Sequence, residues 1–482
     1  MVKDMINGFM PVRRSNVMLL CSAALVVGCG GGGSGGNNDA TPDAGGGLNL
    51  NTVTAVLETN ALIAFNAYSD SVTTADELMT AAEALVATPS AETLMAARDA
   101  WLLAREPYGQ TEAYRFRLGP IDSTDGVAED GPEGRINAWP LGEALIDYVA
   151  LEGTGVVDGV DEAEQFPPIS PVLTSNAIAD EVNFPTINVD TIATLNEADG
   201  DEANVATGYH AIEFLLWGQD LYESADLTWD GSTGADRALG GGSRPYTDYA
   251  MGDSCTSGVG VSVAEATCVR RGEYLLAAIE LLISDLGGLV AEWDPAGTDN
   301  HYNDFVSGGV DSLSVIFESM GRLGFGELAG ERMNIALEQD SQEDEHSCFS
   351  DNTHRDILLN EQGIANSYFG TYTNTRIYSA ATEVTAADGT SLDDLLRESG
   401  FTAEADALTE AVMAAQESVG ALDTRAATET FDLQIAPGNT NGNAIVTAAI
   451  SALVDQTNAI EDAINALELS AGDLRQDTEE NI

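Results

Sequence analysis

The chain of 482 residues carries 19 Lys and Arg against 79 Asp and Glu, a formal charge of −60. Nucleic acid is excluded as a partner and anionic lipid surfaces are disfavoured, because both are held by cationic groups that neutralise phosphates. Apolar residues make up 44%, enough for a large core, and the length corresponds to about two to three domains.

Lys3 is the only lysine, so the acidic surface reads first as a solubility adaptation. Arg13 and Arg14 precede the apolar run Val17 to Val27, and Cys29 follows small residues. A run of about 11 residues is too short for a span that needs about 20. The pattern describes a lipoprotein signal peptide over residues 1–28, with Cys29 acylated and inserted in the lipid bilayer. Residues 29–47 form a flexible Gly-rich tether. The expected location is the cell envelope, lipid-anchored in the outer membrane and facing the periplasm or exterior.

Beyond residue 48 the pattern is helical. Val53, Val56, Leu57, Ala64 and Tyr68 fall near a 3.6-residue period, as do Ile450, Leu453, Ile460, Ile464 and Leu467. Ser391 to Asp394 looks like a capping box, and Gly400 provides the stop. Irregular Gly- and Asp-rich stretches interrupt the helices near 119–136 and 227–260. The expected fold is all-α, with one helical bundle over 48–245 and a second over 246–475. Cys255 and Cys268 bracket a short loop, and an oxidising compartment favours their pairing, which would contribute roughly 3 kcal/mol. Cys348 is then left over.

Three constellations carry chemistry. In the first, residues 105–117, Pro107 interrupts a helix that is rich in arginine, and Glu112 and Arg115 share a helical face. In the second, His210 and Glu213 lie one turn apart among apolar residues. A buried imidazole and carboxylate need a partner or a metal, and an N/O pair suits iron, manganese or zinc. The third, residues 343–356, holds His346 and His354 with five carboxylates. Both histidines are possible ligands there, and Asp351 is a candidate helix cap. His301 reads as a surface or packing residue.

The three constellations together resemble the imelysin family, and within it the iron-regulated protein A branch. The motifs are Arg-x-Pro-Tyr-Gly-Gln-Thr-Glu at 105–112, Gly-Pro-Ile-Asp at 119–122 and Glu-Gly-Arg-Ile-Asn-Ala-Trp-Pro at 133–140. They continue with Gly-x-His-x-x-Glu at 208–213, Arg-Pro-Tyr-Thr-Asp-Tyr at 244–249 and the segment 343–354. Spanning about residues 50–470, the resemblance implies two helical bundles related as pseudo-repeats, with the Gly-x-His-x-x-Glu helix near their junction. An envelope location, a link to iron and, for some members, metallopeptidase activity are also implied. By motif position it carries a metal role to His210 and Glu213, and a weaker one to Glu112, Asp122, Asp351 and His354. Arg115 and Tyr209 are weaker cofactor-binding candidates.

The expected function is a metal-binding envelope lipoprotein of iron acquisition, holding a divalent or ferric ion, with iron favoured and zinc as the alternative. Envelope transport proteins are candidate partners. One rival is a zinc metallopeptidase built on the same motif, although the chain has no His-Glu-x-x-His helix. Another is a metal-free module in which the arginines of residues 105–135 grip an anionic ligand.

Overall fold

Asn49 opens the first helix, α1 (Leu50–Ala87), by accepting the backbone N–H of Asn51. Val53, Val56, Leu57, Ala61, Ala64 and Tyr68 recur on one face and are all buried. A capping box between Ser90 and Thr93 starts α2 (Ala91–Gly109). Pro107 lies inside α2, and the chain then tightens into a 3₁₀ turn, Gln110–Tyr114. Three short helices follow, α3 (Glu133–Ile136), α4 (Glu143–Ile146) and α5 (Val189–Leu195). Next come α6 (Gly208–Trp217), α7 (Glu265–Trp293), α8 (His301–Ser307) and α9 (Val310–Arg322). From α9 the backbone widens into a 13-residue π-helix, Leu323–Ile335, before α10 (Ala336–Gln339). The chain continues through α11 (Thr353–Phe369), α12 (Leu392–Glu398), α13 (Thr402–Ala426), α14 (Phe431–Ile435) and α15 (Thr440–Ala466).

The computed structural model describes residues 48–117, 119–124, 126–127, 130–151, 155–157, 176–200, 204–219, 241–339, 345–374 and 386–475. The signal peptide and tether expected over 1–47 lie outside these residues. Among them the only strands form two antiparallel ladders of three residues each, 149–151 with 155–157 and 371–373 with 386–388. The fold is all-α.

One continuous apolar cluster runs from Val53 to Leu474. α1 packs along α2 and α7, while α13 and α15 pack on each other and on α11 and the π-helix respectively. α7 lies beyond residue 246 yet is seated on α1, so chain from both sides of that position shares this core. α7 is also long and apolar enough to cross a membrane, but Leu275, Ile279, Leu282 and Leu286 are fully buried inside the protein, which makes it a core helix. His301 is a packing residue, its ring 4.6 Å from that of Trp293.

The expected capping box at Ser391 and Asp394 is present, and Gly400 follows the helix with φ +90°. Cys255 and Cys268 form the expected disulfide, and Cys348 is buried apart from it. Asp351 departs from expectation. The cap position of α11 is Asn352, while Asp351 itself takes a left-handed turn conformation (φ +58°) and accepts the backbone N–H of Gly241 at 2.7 Å. An aspartate tolerates that conformation better than most residues, so it shapes the turn entering the helix instead of capping it.

Candidate functional site

The helix α6 is buried around its whole circumference, which explains why its sequence is apolar apart from the motif itself. Its first residue must be glycine. Gly208 has φ +81°, and a Cβ there would lie 2.4 Å from the carbonyl oxygen of Ile136. The helix therefore abuts the turn that carries Asn137, and Thr207 Oγ1 bonds the Arg135 carbonyl at 3.1 Å. This contact brings the motif at 208–213 beside the one at 133–140.

His210 and Glu213 are both fully buried. Nδ1 of His210 lies 2.9 Å from Oε2 of Glu213. The other carboxylate oxygen, Oε1, accepts both the backbone N–H (2.9 Å) and the hydroxyl (2.7 Å) of Ser350. Burial pushes Glu213 up to about 8, partly opposed by the Ser350 hydrogen bond. Burial, reinforced by Arg105 and Arg332, holds His210 well below the usual imidazole range, so the ring is neutral. With Glu213 ionised, Nδ1 carries the ring proton and donates it. Nε2 then presents a lone pair, and among the described residues it has no hydrogen-bond partner.

The His210 ring has aromatic neighbours. The ring of His346 stands edge-on to His210 at 4.7 Å between centroids, and Trp139 at 5.0 Å. His346 is also neutral, held well below its ordinary value by burial and then by Arg332, His210 and Arg105. Its Nε2 lies 3.0 Å from Nδ2 of Asn137. Asn137 in turn donates from Nδ2 to Glu112 (3.3 Å) and accepts from Arg105 at Oδ1.

Arg105 is buried, its guanidinium carbon 4.8 Å from the ring of Tyr209 and 5.4 Å from that of Tyr108. It donates through Nε and Nη2 to Asp356 at 3.1 and 3.0 Å, and Asp356 also takes the Ser347 hydroxyl. Tyr209 thus forms a floor for Arg105. A cleft of about 300 Å³ opens beside His346, its wall including Arg115, Glu133, Trp139, Glu327 and Arg332. Three of the wall residues, Glu327, Glu331 and Arg332, come from the π-helix, a distortion that often accompanies functional sites.

The six expected metal ligands are not gathered into one set. Glu112 belongs to the arginines, its Oε2 taking Arg115 and Arg332 at 3.3 Å each. Burial pushes Glu112 up, but Arg115, Arg332 and Arg105 together outweigh it and hold the carboxyl below its usual range. Asp122 accepts the backbone N–H of Arg117 at 3.2 Å and lies 4.0 Å from Arg115. Asp351 holds the Gly241 turn. His354 lies 3.8 Å from Asp423. Among the described residues no group of three or more His, Cys, Asp or Glu stands in a ligating arrangement. The donors fit a metal in part. A carboxylate-oriented imidazole suits a first-row transition ion, but both oxygens of Glu213 are already engaged, which makes Glu213 an orienting group. Of the two histidines in the third constellation, His346 joins the site and His354 does not.

Asn137, Ser350 and Arg332 emerge only in three dimensions. Asn137 sits in a motif but is a neutral side chain with no metal-ligand signature. Arg332 lies in a segment whose π-helical register the ordinary helical period cannot expose.

No curated protein shows significant sequence similarity to the chain. Solved structures share its fold, two of them as follows. One is described as an iron-regulated protein A precursor from Parabacteroides distasonis ATCC 8503, with TM-score 0.58 and 16% identity, covering 88% of this chain and 97% of that one. The other is an imelysin-like protein from Psychrobacter arcticum 273-4, with TM-score 0.52 and 15% identity, covering 88% and 99%. Residues 64–460 match the imelysin family, also described as Peptidase_M75, and the chain belongs to that family.

Proposed function

We propose that this protein is an iron-linked metal-handling member of the imelysin family, a binding protein in which Nε2 of His210 meets the ion. The observation that carries this reading is a fully buried imidazole nitrogen without a partner among the described residues, on a ring whose other nitrogen is bonded to a carboxylate. Buried polar atoms are almost always satisfied, so an exception asks for a ligand. A carboxylate behind the distal nitrogen is the usual support for a metal-bound histidine. The likeness to an iron-regulated protein A precursor supports iron as the ion, with zinc as the alternative.

A peptidase would need three protein ligands and an open position on the metal, and the described residues do not assemble three. Binding is therefore favoured over hydrolysis. The arrangement Arg13, Arg14, Val17 to Val27 and Cys29 supports an envelope lipoprotein. Replacing Cys29 with serine would release it from the membrane fraction.

The test is calorimetric titration of the purified protein with iron(II), without oxygen, beside His210→Ala. Stoichiometric binding that the substitution abolishes is expected. Equal binding by both proteins overturns the reading.

A further inference from the structure

The cleft and the buried His210 are neighbours without being joined. His346 and Trp139 both line the cleft, and the same two rings stand edge-on to His210, 4.7 and 5.0 Å away between centroids. His210 itself is fully buried and forms no part of the cleft wall. The two rings are therefore a partition between the cleft and the imidazole whose Nε2 has no partner among the described residues.

The rings are held differently. His346 is buried, and its Nε2 lies 3.0 Å from Nδ2 of Asn137. Asn137 is fixed in turn by Arg105 and Glu112, so a buried polar network pins the His346 ring. Trp139 is half-buried and sits on the irregular connection between α3 and α4, followed by the exposed Pro140. Its indole meets His210 and, at 5.5 Å, Phe349 through edge-on ring pairs, each of which is weak singly. A partly exposed side chain changes rotamer far faster than packed elements rearrange.

The cleft also has a sign. Arg115 is paired with Glu133 and Arg332 with Glu327, at 3.3 Å each, and Glu331 adds a third carboxylate to the wall. Carboxylates thus outnumber guanidinium groups, on a chain of formal charge −60, which favours a cation over an anion.

We infer that the cleft is the route by which a cation reaches His210 and that Trp139 is its gate, the indole swinging off the imidazole to open the way to Nε2. The inference rests on the metal-handling reading above and adds how access to the same site is regulated. His346, anchored through Asn137, is the fixed side of the opening. The closed gate keeps the imidazole out of water, where Glu213 alone sets its tautomer.

Two probes of Nε2 test this, one of them without metal. Diethyl pyrocarbonate acylates an imidazole nitrogen that carries a lone pair, and mass spectrometry reads the rate at His210. Wild type, Trp139→Phe and Trp139→Ala are compared at about pH 8.5, with circular dichroism and melting temperature to check folding. Acylation should be at least tenfold faster in Trp139→Ala than in wild type and intermediate in Trp139→Phe. In wild type the rate should be unchanged by urea well below the unfolding transition, because a side-chain swing exposes little new surface. Stopped-flow mixing with iron(II), without oxygen, should give on-rates in the same order, with no loss of affinity. Equal acylation of all three proteins, or a wild-type rate that climbs with urea as steeply as unfolding, overturns the inference. Faster acylation with no iron(II) bound by any of the proteins removes the metal reading and keeps the gate. Iron(II) bound by all three at equal rates keeps the metal reading and removes the gate.

Discussion

Glu213 holds Nδ1 of His210 at 2.9 Å while both hydrogen-bonding groups of Ser350 anchor its other oxygen. A carboxylate engaged at both oxygens orients the ring and sets which nitrogen is protonated. Below about pH 8, where burial keeps Glu213 protonated, its O–H donates to Nδ1 and the ring proton moves to Nε2. Above that pH the proton lies on Nδ1 and Nε2 is open. Metal affinity should therefore rise up to tenfold per pH unit between pH 6 and 8 and level off above, with one proton released per ion bound. Glu213→Gln should bind about 10–100-fold more weakly than wild type at pH 9, with little pH dependence left. Calorimetry in buffers of different ionisation enthalpy measures the proton count. A flat wild-type profile would sink the proposed tautomer exchange.

The same carboxyl makes a prediction about stability. Its folded value lies above the ordinary glutamate value of 4.5, so between the two the native state binds more protons than the unfolded one. Stability should fall with rising pH across that window, by at most about 1.4 kcal/mol per unit, and this slope should disappear in Glu213→Gln. Urea unfolding at pH 5, 6, 7 and 8 gives the comparison. The carboxyl would be shown not to be raised if the two proteins had parallel slopes.

The pair Arg105 and Asp356 is buried at both ends. Removing one partner leaves an uncompensated charge, and Asp356→Ala should cost about 3–5 kcal/mol. Because Arg105 also holds Asn137, binding at His210 should weaken as well. Denaturant midpoints at constant m-value report the first effect. A loss below about 1 kcal/mol would mean that the surrounding tyrosine rings alone suffice for the guanidinium.

Much of this was legible in the residues. The 3.6-residue period of α1 and α15, the capping box at Ser391 and the pairing of Cys255 with Cys268 are local or nearly local facts, and the structure repeats them. The proximity of His210 and Glu213 follows from one helical turn. What could not be read was which distant groups would meet them. Glu112 and Asp122 sit in motifs, but nearby arginines claim both. His354 and His346 are indistinguishable by composition, and only the fold separates them, His346 beside Asn137 and His354 beside Asp423. Arg332 is hidden by a π-helix that shifts the facing of its side chains away from the expected period.

The disulfide between Cys255 and Cys268 spans 13 positions. Loop-closure entropy for such a length corresponds to about 3 kcal/mol. Replacing both cysteines with alanine should lower stability by that order while leaving binding at His210 unchanged, since the bridge lies against Thr247 and Arg271. Unfolding with and without reductant should then coincide in the variant and differ in the wild type.

Gly208 ties the motif to the rest of the site through the backbone. Its positive φ and the 2.4 Å approach that a Cβ would make to the Ile136 carbonyl mean that Gly208→Ala must push α6 away from the turn carrying Asn137. Gly400 is the control, since it too has positive φ (+90°) but a Cβ there would meet nothing within 4 Å. Both alanine variants should bear the left-handed strain of about 1–2 kcal/mol. Only Gly208→Ala should also separate His210 from the Asn137–His346 pair and weaken metal binding. Comparable binding by the two variants would show that the close approach at Gly208 has no part in aligning the imidazoles.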